Sequence, residues 1–94
     1  MIDVTADVLQ VSGPMVIDTA TRIQSAGEAA LAGNSIRSID LAAVTEADSS
    51  AVAVILSWTR LAQQRGQSLQ IVHSPDSIRS LANLYGVAEF LPLA

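Results

Sequence analysis

The sequence has no cysteine, no lysine, a single histidine and only three aromatic residues, Trp58, Tyr85 and Phe90. Each absence excludes something. Without cysteine there is no disulfide framework and no thiolate metal site. The five basic residues are the scattered arginines Arg22, Arg37, Arg60, Arg65 and Arg79, outnumbered by nine acids for a net charge of −4. Nucleic-acid binding needs a clustered positive face, and so does attachment to an anionic membrane; neither is present. The longest unbroken apolar run, Ala51–Leu56, has six residues, against the ~20 that span a bilayer. No basic region followed by a long apolar stretch opens the chain, so no secretory signal is read. The expectation is a soluble, cytoplasmic protein without cofactor or metal.

What the chain does have is aliphatic. Half of its 94 residues are apolar and 15% are charged, a balance that favours a packed core over disorder. One domain over residues 1–94 is expected, and with so few aromatics its core falls to Ala, Val, Ile and Leu.

Ile2 and Val4, then Val8, Leu9 and Val11, make two short β-type runs with Ala6-Asp7 as the turn, so residues 2–12 read as a hairpin ended by Ser12-Gly13-Pro14. Asp18–Ala32 is rich in helix formers, with Asp18 or Thr19 as cap, a weak stripe of Ala20, Ile23, Ala26 and Ala30, and Gly33-Asn34 as stop. Gly27 stands inside this helix at a propensity cost of about 1 kcal/mol. Ile36–Leu41 alternates and predicts a strand, Ala42–Ala47 a loop, and Ser49–Arg65 a helix ended by Gly66. Leu69–His73 is a further strand. Ser74-Pro75-Asp76-Ser77 opens a last helix, with Ser74 as cap, Pro75 in the first helical position and a stripe of Ile78, Leu81, Leu84 and Tyr85. Gly86 stops it, and Val87–Leu91 is one more helical turn before Pro92. The order β-β-α-β-α-β-α predicts an α/β fold. Its mixed four-stranded sheet combines the N-terminal hairpin with parallel crossover strands and packs about three to four helices.

The chemistry-bearing stretch is Asp48-Ser49-Ser50 at the head of the most regular helix. Successive 100° steps put Ala51, Val54, Ile55, Trp58, Leu61 and Ala62 on a core face. Ser49, Ala53, Leu56 and Arg60 fall on the opposite side. The plain reading of Asp48 and Ser49 is helix capping, which is compatible with a phosphate at the same place, where helix dipole and free N–H groups favour an anion. Catalysis finds little support. His73 has no companion ligand or base, and Asp40 with Asp48 makes a carboxylate pair only if a loop happens to join them. No nucleophile-elbow pattern surrounds Ser49, and Gly13, Gly27 and Gly33 form no phosphate-binding loop.

The order of elements, the Ile39-Asp40-Leu41 strand end, the Asp48-Ser49-Ser50 helix opening and the closing Leu81–Leu91 segment resemble a STAS domain. This is the domain of bacterial anti-sigma factor antagonists, also appended to sulfate transporters. Ala51 stands where the family pattern has Gly. Leu81-Ala82-Asn83-Leu84-Tyr85-Gly86 with Phe90-Leu91-Pro92 is similar, within the family, to the MlaB-type STAS subunit of the Mla phospholipid ABC transporter. The resemblance implies a non-enzymatic subunit that binds and regulates the cytoplasmic ATPase of such a complex. Its contact surface would then be Asp48, Ser49, Ser50, Ala53, Leu56 and Arg60. The alternative that it implies is an anti-sigma factor antagonist whose Ser49 is phosphorylated by an anti-sigma serine kinase.

Overall fold

The computed structural model describes residues 1–94. The chain runs β1 (Ile2–Thr5), β2 (Val8–Met15), α1 (Ile17–Gly33), β3 (Ser38–Ala47), α2 (Ser49–Gln64), β4 (Gln70–Val72), α3 (Asp76–Leu84) and a 3₁₀ turn at Ala88–Phe90. The sheet order is β1-β2-β3-β4, with β1 antiparallel to β2 and the other two pairs parallel. This is the expected mixed sheet. The hairpin turn is Ala6-Asp7, with Ala6 in the left-handed region at φ +54°.

Leu9 and Val11 on β2, Ile39 and Leu41 on β3 and Ile71 on β4 are all fully buried, and the register Leu9–Ile39–Ile71 sets them in one row. The neighbouring row Gln10–Asp40–Val72 faces the other way and is not buried. The sheet therefore buries one face under the helices and leaves the other open, as alternation along strands allows.

Three boundaries differ from expectation. Ser12-Gly13-Pro14 does not end β2, which continues to Met15. Pro14 is tolerated because β1 does not reach it, so its missing N–H breaks no ladder. Ala42–Ala47 is strand rather than loop. β3 carries two extra residues against β2, between the pairs Gln10–Asp40 and Ser12–Ala43, and between Gly13–Val44 and Pro14–Glu46. Each bulge shifts the inward parity, so the core-side positions become Ile39, Leu41, Val44 and Ala47. β4 is shorter than expected, because His73 turns into the left-handed region at φ +55°.

The helix ends also differ. α1 begins at Ile17, so neither Asp18 nor Thr19 is its cap; Thr19, in the third helical position, accepts the Val16 N–H at 3.1 Å. At α3 the cap position is Pro75, and the Ser74 hydroxyl is buried without a partner. Leu84 and Tyr85, expected in the core, are 74% and 55% exposed. Only Ile78 and Ala82 of α3 are fully buried: Leu84 lies more than about 100° round the helix from both, and the helix ends before Tyr85. α2 and α3 end alike. Gln67 N–H donates to the Ala62 carbonyl (2.9 Å) and Gly66 N–H to Gln63 (3.1 Å); Val87 and Gly86 repeat the pattern on Ala82 and Asn83. Gly66 and Gly86 supply the positive φ that this double closure requires.

α1 meets the core through Ile23, Gly27 and Leu31, while Ala26 of the expected stripe is exposed. Gly27 is buried because Trp58 of α2 lies against it: a Cβ there would come 2.3 Å from the indole ring. The same indole donates from Nε1 to the Gln24 carbonyl at 3.1 Å, and Trp58 is fully buried. Thr59, a polar residue buried in the core, donates to the Ile55 carbonyl at 2.9 Å.

Gly27→Ala forces α1 and Trp58 apart and is expected to lower stability by roughly 1–3 kcal/mol, the usual cost of overpacking. Gly33→Ala meets no atom within 4 Å and is expected to be neutral or to stabilise by up to about 1 kcal/mol. Urea unfolding of the two variants separates a packing requirement from helix propensity.

Candidate functional site

α1 follows β2 and α2 follows β3, and those strands are parallel. Both helices therefore begin at the same end of the sheet. Asp48 is the residue that joins them. Its carboxylate accepts the Ser50 N–H at 2.8 Å, which caps α2. Its other oxygen accepts the Ile17 N–H at 3.0 Å, the first residue of α1. α1's own cap position is Val16, which has no side-chain oxygen to offer, so α1 borrows its cap from the head of α2. Asp48 N–H in turn donates to the Met15 carbonyl at 3.3 Å, tying β3 to the end of β2.

Two helix N-termini and two donated hydrogen bonds act on one carboxylate. Partial burial pushes the Asp48 carboxyl up, but the Ile17 and Ser50 N–H groups together outweigh it, and its pKa lies below the ordinary value. Ser49, read as a candidate cap, is not the capping residue: Asp48 holds that role, and Ser49 is exposed in the first helical position. Ser50 is half-buried beside it.

Of the outward stripe, Ala53 and Arg60 are exposed with Ser49, on positions three and four residues apart that share a face. Leu56 departs from the expectation of a free apolar residue opposite the core. It is half-buried and packs against the core cluster, because the segment after α3 comes back over α2. Leu56 and Arg60 line a cleft of about 350 Å³ with Gln63, Val87, Glu89 and Phe90.

Two contributors to this surface escaped the sequence reading. Ile17 is 72% exposed although its N–H is held by Asp48. The visible signal was an apolar residue ahead of the first acidic helix position. Phe90, 59% exposed, belongs to a short turn whose direction no periodicity reveals.

His73 Nδ1 lies 3.0 Å from Asp40 Oδ1, and Asp40 also accepts the Ala42 N–H at 2.9 Å. The Ala42 N–H holds the Asp40 carboxyl below its ordinary value, partly opposed by burial and helped by His73. This pair sits on the open sheet face near the start of β3. At ~3.3 Å per residue along the strand, Asp40 and Asp48 stand roughly 20–25 Å apart. Neither a carboxylate pair with Asp48 nor a triad of Ser49 with His73 can be assembled, and the described residues include no cluster of three metal-ligating side chains. No helix is long and apolar enough to cross a membrane.

This fold defines a small α/β domain whose mixed four-stranded sheet is covered by helices on one face. Residues 2–93 match the family model described as "Mlab, STAS domain"; the chain belongs to the STAS domain family, of MlaB type. No curated protein matches the sequence significantly. Among solved structures it is similar to the anti-sigma factor antagonist SpoIIAA, known in unphosphorylated and phosphorylated forms. The unphosphorylated form shows 14% identity and a TM-score of 0.72 over 100% of this chain and 86% of that one. An anti-sigma factor antagonist from Mycobacterium paratuberculosis shows 21% identity and a TM-score of 0.73, covering 99% and 81%. A sulfate transporter family protein from Wolinella succinogenes shows 14% and 0.69, covering 99% and 79%. At these identities the likeness is one of fold.

Asp48, with its folded pKa depressed, contributes stability that is fully present above the unfolded carboxylate value of ~3.9 and is lost as pH falls through the folded value. Asp48→Asn is expected to be less stable than the parent at pH 7 and to converge with it as pH falls through the folded value, as thermal unfolding across pH would reveal. Ser49→Ala, which removes no cap, is expected to stay within about 0.5 kcal/mol of the parent.

Proposed function

We propose that the chain is a non-enzymatic interaction subunit that docks on the cytoplasmic ATPase of a phospholipid-transport ABC complex and regulates it. The observation that carries this reading is the outward stripe of α2. Ser49 and Ala53 give a flat, small-residue approach, and Leu56 and Arg60 open into the cleft beneath Phe90. The closing segment adds weight. Leu84, Tyr85 and Phe90, which carry the likeness to the MlaB-type subunit, are exposed rather than packed, as contact residues are. Tyr85, Phe90 and Arg60 are of the residue types enriched at protein interfaces, and Ser49 and Ala53 contribute only room for close approach.

A second reading has one specific observation in its favour. Ser49 is exposed in the first turn of a 16-residue helix, where a phosphate would gain from the helix N-terminus while opposing Asp48. On this reading the chain is an anti-sigma factor antagonist and Ser49 the acceptor of an anti-sigma serine kinase. Intact mass after incubation with such a kinase decides between the two.

Ser49→Asp and Ala53→Arg are expected to weaken co-purification with the ATPase at least tenfold, about 1.4 kcal/mol, with thermal stability nearly unchanged because both positions are exposed. Leu56→Asp is expected to lose binding and some stability together. Retained binding in both Ala53→Arg and Leu56→Asp would remove α2 from the interface.

A further inference from the structure

The two edges of the sheet are finished differently. At β4 the chain closes its own edge: Ile71 N–H donates to the Pro92 carbonyl (2.8 Å) and Ala94 N–H to the Ile71 carbonyl (2.9 Å), with Leu93 bridging Ile71 in parallel. Nothing closes β1, whose sole partner is β2. The register says which groups are left over. A two-residue turn makes Thr5–Val8 a hydrogen-bonded pair, and bonding alternates from there. Asp3 bonds to Gln10, and Ser12 N–H donates to the Met1 carbonyl at 2.9 Å. Ile2 and Val4 therefore turn their N–H and C=O groups outward. Their side chains lie opposite buried Val11 and Leu9, on the helix face, while Asp3 and Thr5 point to the open face.

Beside Ile2, between the end of β1 and α1, lies a cleft of about 640 Å³ with Ile2, Pro14, Ile23 and Ala26 as apolar wall and Thr19 and Arg22 at its margin. That volume is within the range of ligand pockets. Arg22 makes no ion pair; the close pairs of opposite charge are Arg37 with Asp7 and His73 with Asp40. An unpaired arginine over an apolar wall, in a chain of net charge −4, is complementary to a carboxylate. β2 itself cannot take a new strand there. Pro14 has no N–H, and its carbonyl accepts the Thr19 hydroxyl at 2.8 Å. An incoming segment would pair with β1 and place side chains in the cleft.

We propose that the open β1 edge and this cleft form a second docking site, which takes an extended segment of a partner protein as a fifth strand. The segment presents an apolar side chain and a carboxylate to Ile23 and Arg22, and a basic side chain to Asp3 on the other face. A second copy of the chain is the poorer occupant. An antiparallel β1–β1 pair that uses all four outward groups matches Ile2 with Val4 and sets Asp3 directly against Asp3, and like charges so placed repel. The site lies on the flank of α1 away from Trp58 and α2, so it stands or falls independently of the α2 surface.

The test uses a capped, fluorescein-labelled peptide, Thr-Val-Lys-Leu-Lys-Glu-Thr, titrated with the whole protein and followed by anisotropy and amide spectra. The control peptide has Lys in place of Glu. Expected are saturable binding of the first peptide, a clear preference over the control, and slowed exchange of the Ile2 and Val4 amides. Arg22→Glu and Val4→Pro should each weaken binding at least tenfold with thermal stability retained, since Arg22 is exposed and Val4 N–H lies outside the hairpin ladder. Absence of saturable binding up to ~1 mM, equal binding of the control, or indifference to both variants overturns the proposal. So does a concentration-dependent dimer that Val4→Pro abolishes, which would assign the edge to a second copy.

Discussion

Two long helices laid on a sheet are free to slide and spread unless something other than general burial sets their distance, because apolar contact is non-directional. In this protein Trp58 sets it. The indole fills the space that a Cβ on Gly27 would need and donates to the Gln24 carbonyl one turn earlier. Close packing fixes how near α1 and α2 lie, and the hydrogen bond fixes the level at which they meet. Asp48 fixes them again at their heads, through Ile17 and Ser50. Held at two points about two turns apart, α2 cannot roll, and the faces that its sequence assigns to core and solvent are the faces that the fold presents.

Much of this was legible from residue pattern, and the misses share a cause. The hairpin, both parallel crossovers and the span of α2 follow from alternation, helical period and the glycines at 66 and 86, which are local signals. β3 was truncated at Leu41 because its inward positions run Ile39, Leu41, Val44, Ala47. A period of two that becomes three looks like a loop, and only the partner strand shows that two residues bulge out. Helix starts were misplaced for a related reason. Val16 is an implausible cap until Asp48, thirty-two residues later, is seen to supply the missing acceptor, and Ser74 is a plausible cap whose hydroxyl finds no N–H. Gly27 was legible only as a propensity penalty, since its reason is a ring on another helix.

For the site, the wheel sorted α2 correctly at Ser49, Ala53 and Arg60 but left Leu56 too free. A helical wheel describes one helix in isolation, and the return of the chain through Val87–Phe90 is a tertiary event. Leu84 and Tyr85 erred in the opposite direction, placed in the core by a helical stripe: Leu84 lies on the side of α3 away from Ile78 and Ala82, and the helix ends before Tyr85. The exchange moves apolar surface outward: Leu56 becomes part of a cleft wall, while Leu84 and Tyr85 are exposed.

The division of labour at the head of α2 has a further consequence. In many helices a serine in this region is consumed by capping, and any change to it is felt first as lost stability. Asp48 performs that task for two helices at once, which leaves the neighbouring hydroxyl structurally idle. Ser49 can therefore be replaced by another small uncharged side chain with the fold little altered, whereas a charge or a phosphate there would stand beside the Asp48 carboxylate. The dispensability of the Ser49 side chain to the fold follows from the same carboxylate that holds α1 and α2 together.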